Sequence, residues 1–339
     1  MLADTNSRTR KALSAKAAVS QTADTIGWPF DVNFFDASSA VWKPPLLGAS
    51  FSVRIDSLRE IAAMDFDLAR TLDSGQVFHW ERSGEGYAGT IASDGVYVEQ
   101  RRNHLSFTGT TAGVIRNYFA LDHPLRQICR SFPNDPVMRA ARDFCRGLRI
   151  IRQPRWECLA TFITSSMKQV AHIRQISWTL RKRYGKRQRV FDSDAYSFPP
   201  APRIANLTEQ DLRACALGYR AKNLLGTARL VTSGEIDLEQ WRRLPDESLR
   251  ASLCELPGVG AKVANCVMLF AYERLRAFPI DVWIERVLKQ KYFPRKRKMT
   301  ETELRAFCET YFGEHGGYAQ QYLFHHARKG GALPRVAAK

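Results

Sequence analysis

No C-x-x-C pair occurs anywhere in this chain, and its seven cysteines, at 129, 145, 158, 215, 254, 266 and 308, are scattered and odd in number. That speaks against a disulfide framework and for a reducing compartment. Long apolar runs are missing too. None reaches the roughly 20 residues that a membrane-spanning helix needs, so no membrane partner is expected. The first eighteen residues are mildly basic, but they contain Asp4 and lack an apolar stretch, which argues against a secretory signal and leaves a transit peptide as the weaker reading. Acidic residues are scarce. Asp and Glu number 34 against 51 Lys and Arg, a net charge of +17. An excess of that size suggests a polyanionic partner, with nucleic acid and membrane surface both open on charge alone.

What is present is enough for a packed protein. The chain has 339 residues, 45% of them hydrophobic, which allows two or three lobes. The positive charge is not spread evenly. Residues 1–50 carry five basic and four acidic side chains, whereas 139–189 carry fourteen basic residues against Asp143 and Glu157. A second run, 289–298, holds no acid. A solvated charged face would explain either run alone. Two dense runs flanking one hairpin favour a surface that tracks phosphates.

Read in order, residues 1–45 form a loose tail with little periodicity. Short alternating runs follow between Gly, Asp and Asn turns, at 51–55, 77–80, 87–91, 96–98 and 105–107, and they read as an antiparallel sheet. From Val114 onward, three-to-four-residue apolar spacing predicts helices over 136–149, 156–166 and 170–184. Residues 192–206 read as a proline-rich connection. Thr208 is placed to cap a helix around Leu212, and Leu217-Gly218-Tyr219-Arg220-Ala221-Lys222 opens the next one. The last helices fall at 303–312 and 317–328, before a second short tail.

The stretch that organises the chain is Leu256-Pro257-Gly258-Val259-Gly260-Ala261-Lys262. It lies between a helix predicted over 247–255 and one over 261–272 that is apolar almost all round and so belongs in a core. Glycines let this hairpin turn tightly and approach a ligand closely. The free N–H groups of the second helix's first turn make a phosphate seat. Lys262 stands at its mouth, where an apolar helix behind it should weaken its preference for charge. A partly neutral amine is a nucleophile that forms Schiff bases. Asp281, nineteen residues on in Phe278-Pro279-Ile280-Asp281-Val282-Trp283, occupies an N-cap position. Taken singly, Lys262 reads as a phosphate contact and Asp281 as a cap.

Together these segments resemble the helix-hairpin-helix (HhH-GPD) DNA glycosylases, and 256–283 is most similar to the 8-oxoguanine DNA glycosylase/AP lyase family. The similarity covers roughly residues 50–330. It implies an α+β, mainly α fold: a tail at 1–45, an N-terminal antiparallel sheet domain at 46–150, a helical HhH-GPD catalytic domain at 151–330 with its hairpin at 256–260, and a tail at 331–339. Asp73-Ser74-Gly75-Gln76-Val77-Phe78-His79-Trp80 matches the family's SGQ-F-W motif, and the resemblance implies that the Gly75 carbonyl accepts a hydrogen bond from the oxidised base. 8-Oxoguanine has an N7–H donor where guanine has a lone pair, so one backbone acceptor separates the two. By the same similarity, Cys266 and Phe324 sandwich the purine, Gln320 reads its pairing edge, and Phe270 continues the Lys262–Cys266 face. Tyr219 enters the duplex with Arg220 beside it, and Gly258, Val259 and Gly260 hold a phosphate.

The implied reaction is base excision by Lys262 followed by strand cleavage, with Asp281 stabilising charge at the sugar. It needs no cofactor. The four-cysteine loop of endonuclease III has no counterpart, so neither an iron–sulfur cluster nor zinc is expected. The implied partner is duplex DNA containing 8-oxoguanine, bound by a monomer in the cytoplasm or nucleoid of a bacterium or the nucleus of a eukaryote.

The chain departs from the family where familiar members carry asparagines and an arginine that grip the orphaned cytosine. Here those positions are Met167, Lys168, Gln169 and His172, and Trp283 replaces a common histidine. Weak discrimination of the opposite base is therefore expected. Two other readings compete. A water-using glycosylase for another damaged base would not need Lys262. A non-catalytic DNA-binding module would not need Lys262, Asp281, Gly75 and Gln320 together.

Overall fold

Strand β1 (Arg59–Ala62) begins the part of the chain described by the computed structural model, which covers residues 58–166, 168–296 and 298–330. The expected strand at 51–55, both tails and Met167 lie outside the described residues. After helix α1 (Leu68–Asp73) come β2 (Glu81–Ser83), β3 (Gly86–Ile91), β4 (Asp94–Arg101) and β5 (His104–Thr108). They form an antiparallel sheet in the order β1-β5-β4-β3-β2. Ile91 pairs with Asp94, and Arg101 with His104, which leaves two-residue turns where Ala92 and Arg102 adopt φ of 52° and 51°. The expected strands at 87–91, 96–98 and 105–107 fall inside β3, β4 and β5. Residues 77–80 do not pair with the sheet. Val77 and Trp80 are instead buried in its core, and the Trp80 indole donates to the Tyr118 hydroxyl at 3.0 Å.

The remaining α-helices and strands are α2 (Ala112–Tyr118), α3 (Leu125–Arg130), α4 (Pro136–Phe144), α5 (Arg155–Ser165), α6 (Val170–Tyr184), a hairpin of β6 (Arg187–Val190) and β7 (Ser193–Tyr196), α7 (Ala201–Ala205), α8 (Glu209–Arg213), α9 (Arg220–Ser233), α10 (Asp246–Cys254), α11 (Ala261–Ala271), α12 (Val282–Val287), α13 (Glu301–Tyr311) and α14 (Gly316–Lys329). The expected α+β, mainly helical class holds. So does the Thr208 cap, which forms a reciprocal capping box with Asp211.

Two further expectations need correction. The helix expected over 136–149 stops at Phe144, because Gly147 (φ 82°) turns the chain back against Asp67, whose N–H donates to the Gly147 carbonyl at 2.9 Å. The connection expected at 192–206 contains β7 and α7. The β6–β7 hairpin is held by tertiary packing: Tyr97 stacks on Phe191 at 4.4 Å, over a small core of Ala88, Val190 and Ala195. This second cover explains why the middle of β4 is buried on both faces.

The helical core and the sheet core are separate clusters, and they do not divide at residue 150. Leu125, Met138 and Leu148 join the helices, while Ile151 packs into the sheet. The two are tied together by buried polar groups. Glu157 on α5 pairs with Arg181 on α6, and Arg181 also donates to the Thr90 hydroxyl on β3 at 3.0 Å. His79 lies 3.6 Å from the same carboxylate, and burial pushes its pKa well below the usual value.

Candidate active site

The hairpin between α10 and α11 forms as the glycines require. Gly258 sits at φ 78°, and a Cβ there would strike Asn223 of α9 at 2.4 Å. The turn is thus pressed against the helix whose cap residue is Tyr219. Gly258 and Gly260 are exposed, as a phosphate seat requires. Val259 is not: its side chain is buried in the core, and its N–H donates within the turn to Leu256 at 3.1 Å.

Lys262 lies in the first turn of α11, half-buried, with its Nζ 5.2 Å from the centroid of Phe162 on α5. One turn on, Cys266 is 4% exposed. Burial pushes its thiol up to about 11, opposed by the charge and hydrogen bond of Lys262. Asp281 caps α12 by accepting from the Ile284 N–H at 2.9 Å. Its carboxyl is shifted upward by burial, against the pull of the Ile284 amide and the Lys262 charge. The Lys262 amine and a carboxyl that is both capped and partly desolvated therefore act on one another electrostatically.

The other side of the site comes from α1, the loop after it, and α14. Gly75 has φ 87°, and a Cβ there would lie 3.0 Å from Phe324 Cε1 and 2.6 Å from Arg328 Nη1. Gly75 and Phe324, 249 positions apart in the sequence, are thereby brought into contact. Gln320, one turn before Phe324, is 4% exposed, and its Oε1 is buried without a hydrogen-bond partner among the described residues. An orphaned amide oxygen of this kind is unusual in a finished core and common where a ligand completes the bonding. A cavity of about 670 Å³ opens elsewhere, beside Arg70, Arg82 and Arg174, and contains none of these groups.

Two matched segments coincide with this arrangement. Residues 60–159 match the 8-oxoguanine DNA glycosylase N-terminal domain, and residues 160–310 match the HhH-GPD superfamily of base-excision DNA repair proteins. The structure of MBOgg1 in complex with a low-affinity DNA ligand superposes with a TM-score of 0.77 at 32% identity, covering 80% of this chain and 96% of that one. The chain belongs to the 8-oxoguanine DNA glycosylase branch of the HhH-GPD superfamily. An 8-oxoguanine glycosylase/lyase of Clostridium acetobutylicum, solved with duplex DNA containing cytosine opposite 8-oxoguanine, gives 0.75 at 29% identity, over 81% of this chain and 98% of that one. A probable N-glycosylase/DNA lyase of Methanothermobacter thermautotrophicus is 27% identical over 313 residues, 80% of this chain and 96% of its own length.

Within this HhH-GPD fold the residues picked from sequence do not all stand where the resemblance suggested. Phe270 is enclosed in the helical core, stacked on Phe162 with centroids 5.5 Å apart. Tyr219 is 57% exposed and Trp283 42%, the latter with Arg286 over its ring at 5.3 Å. Lys168, Gln169 and His172 are exposed at the start of α6. Arg220, expected on DNA, is only 4% exposed. Its Nε donates to the Ser166 carbonyl at 2.7 Å, Nη2 to the same oxygen, and Nη1 to Leu217 at 3.3 Å. Its guanidinium also lies 4.4 Å over the Tyr219 ring. Those carbonyls absorb the donors that a phosphate would need, so Arg220 ties Tyr219 to the end of α5.

Sequence reasoning missed three residues. Phe162 forms the platform for Lys262. Arg328 touches Gly75. Gln76, fully buried, holds the Gly75 loop: its amide nitrogen donates to the Arg149 carbonyl at 2.8 Å, and its oxygen accepts from the Ile151 N–H at 2.7 Å. The SGQ motif carried a signal for Gln76, since a glutamine beside a required glycine is a natural anchor. Nothing local marked the other two.

Proposed function

We propose that this protein is a bifunctional DNA glycosylase/AP lyase that removes 8-oxoguanine from duplex DNA. The observation that carries the reading is the pairing of Lys262, at the open end of a buried helix, with the desolvated Asp281 carboxyl at the cap of the next. A base inside a duplex is out of reach, so it must be extruded to meet this amine. Tyr219, exposed beside the hairpin, fills the stack, and the hairpin glycines hold a backbone phosphate.

The base then lies against Phe324, with its N7–H on the Gly75 carbonyl and its pairing edge on Gln320, whose orphaned oxygen gains a donor. Lys262 releases a proton and forms a bond from Nζ to C1′. The C1′–N9 bond breaks, and the departing purine takes the electron pair and a proton. The anionic Asp281 stabilises positive charge as it grows on the sugar. Opening of the sugar ring yields an iminium linked to Lys262. Loss of a C2′ proton then expels the 3′ phosphate, which cuts the strand. Every step uses an amine, a carboxylate and the substrate, so the route calls for no cofactor.

Lys168, Gln169 and His172 face the opposite strand in this reading, and they offer no pair of donors shaped for cytosine. Borohydride reduction tests the core of the proposal. Wild-type protein should be trapped covalently on DNA containing 8-oxoguanine, and Lys262→Gln should give no adduct. Release of the base without trapping would identify a water-using enzyme and sink the lysine mechanism.

A further inference from the structure

Arg328 stands two turns beyond Gln320 and one beyond Phe324, on the face of α14 that meets Gly75. Its guanidinium carbon lies 5.1 Å from the Phe324 ring centroid, and its Nη1 presses on Gly75 so closely that a methyl group there would be 2.6 Å away. Such a cation is normally committed to a carboxylate. Here the acids whose fields reach it are Asp73 and Asp281. Asp73 already binds Arg174 and Lys329, each at 3.0 Å, and Asp281 caps α12. Among the described residues, the one hydrogen bond of Arg328 is a long one, 3.3 Å, to the Ser74 carbonyl. That oxygen has a better donor in Gln321 Nε2 at 2.8 Å. A fork of five N–H donors is thus held against the glycine that is to read the base, with most of its capacity unspent.

We propose that Arg328 is a specificity-determining residue, donating to the C8 oxygen of the extruded base next to the Gly75 contact. The inference rests on the reading of this site as an 8-oxoguanine pocket. Oxidation changes the purine at two adjacent atoms: N7 gains a hydrogen, and C8 gains an oxygen. The Gly75 carbonyl senses the first change. A charged donor alongside it senses the second, because guanine offers only a C–H at that place. Both contacts are lost together for the undamaged base. A hydrogen bond from a charged group to a buried acceptor carries a factor of roughly tenfold to a hundredfold.

The test compares two substrates in the same duplex, one with 8-oxoguanine and one with an abasic site. Arg328→Ala should slow single-turnover release of 8-oxoguanine by roughly tenfold to a hundredfold. Borohydride trapping on the abasic duplex, which needs no base recognition, should match wild type and so report an intact fold and lysine. Arg328→Lys, which keeps the charge but loses the fork, should fall between the two. Base release within threefold of wild type would overturn the inference. So would equal losses on both substrates, since the cation would then act through Asp281 or the fold. If wild-type protein traps on the abasic duplex but never releases 8-oxoguanine, the substrate reading itself fails, and the inference with it, before any variant is made.

Discussion

Around the first turn of α11 the candidate site groups are enclosed: Cys266 and Gln320 are each 4% exposed, and Lys262 and Asp281 are partly covered. Around the start of α6 and the cap of α9 the arrangement is reversed. Tyr219 is 57% exposed, and Lys168, Gln169 and His172 project into solvent. Enclosure raises the energetic weight of every charge and hydrogen bond, because water no longer competes. It also constrains the residue types allowed, since a wrong side chain costs packing as well as chemistry. An exposed rim residue can change at little cost to the fold. That contrast leaves Lys168, Gln169 and His172 freer to vary than Lys262 and Asp281.

The comparison can be broken most forcefully at Asp281. Asp281→Asn keeps an N-cap acceptor for the Ile284 amide but removes the anion. Base release should fall by roughly 10²- to 10⁴-fold, measured in single turnover. The folded carboxyl is shifted upward, so protonation favours the folded state, and the acid limb of the wild-type rate should lie above the ordinary aspartate value near 4. By the same sign, the neutral variant should unfold at neutral pH no earlier than wild type. A variant that unfolds markedly earlier would show that this carboxylate serves stability and would undo the contrast.

Gly75→Ala sharpens the enclosed side. The added methyl meets Phe324 Cε1 at 3.0 Å, and φ of 87° strains any L side chain by about 1–3 kcal/mol. Excision of 8-oxoguanine should drop by roughly tenfold or more, while trapping on an abasic duplex changes little. Equal activity on both substrates would place base recognition elsewhere.

The smallest effect belongs to the rim. Excision from duplexes pairing 8-oxoguanine with each of the four bases should spread over less than about a hundredfold, since Lys168, Gln169 and His172 offer no bidentate pair for cytosine. A preference for cytosine above that range would show that Lys168, Gln169 and His172 discriminate after all.

Much of this was legible along the chain because its signals are local. A proline and two glycines before an apolar helix define the hairpin, alternation defines β3 to β5, and Asp281 before Val282 reads as a cap. The misses share one cause. The β6–β7 hairpin is held by Tyr97 stacking on Phe191, nearly a hundred positions away. Helix α4 ends where Gly147 meets Asp67. Arg220 looks like a DNA contact in sequence, and only the approach of the Ser166 carbonyl shows where its donors go.

The sequence by itself determined the hairpin, the Asp281 cap and the fold class, since each depends on residue type and short spacing. Tertiary structure alone decided that Gly75 meets Phe324 and Arg328, that Phe162 carries Lys262, and that Phe270 is core. Those contacts join segments from separate elements, and no local periodicity encodes which distant side chains will share a wall. Their positions follow from how the sheet and helical cores pack together, a property of the whole chain.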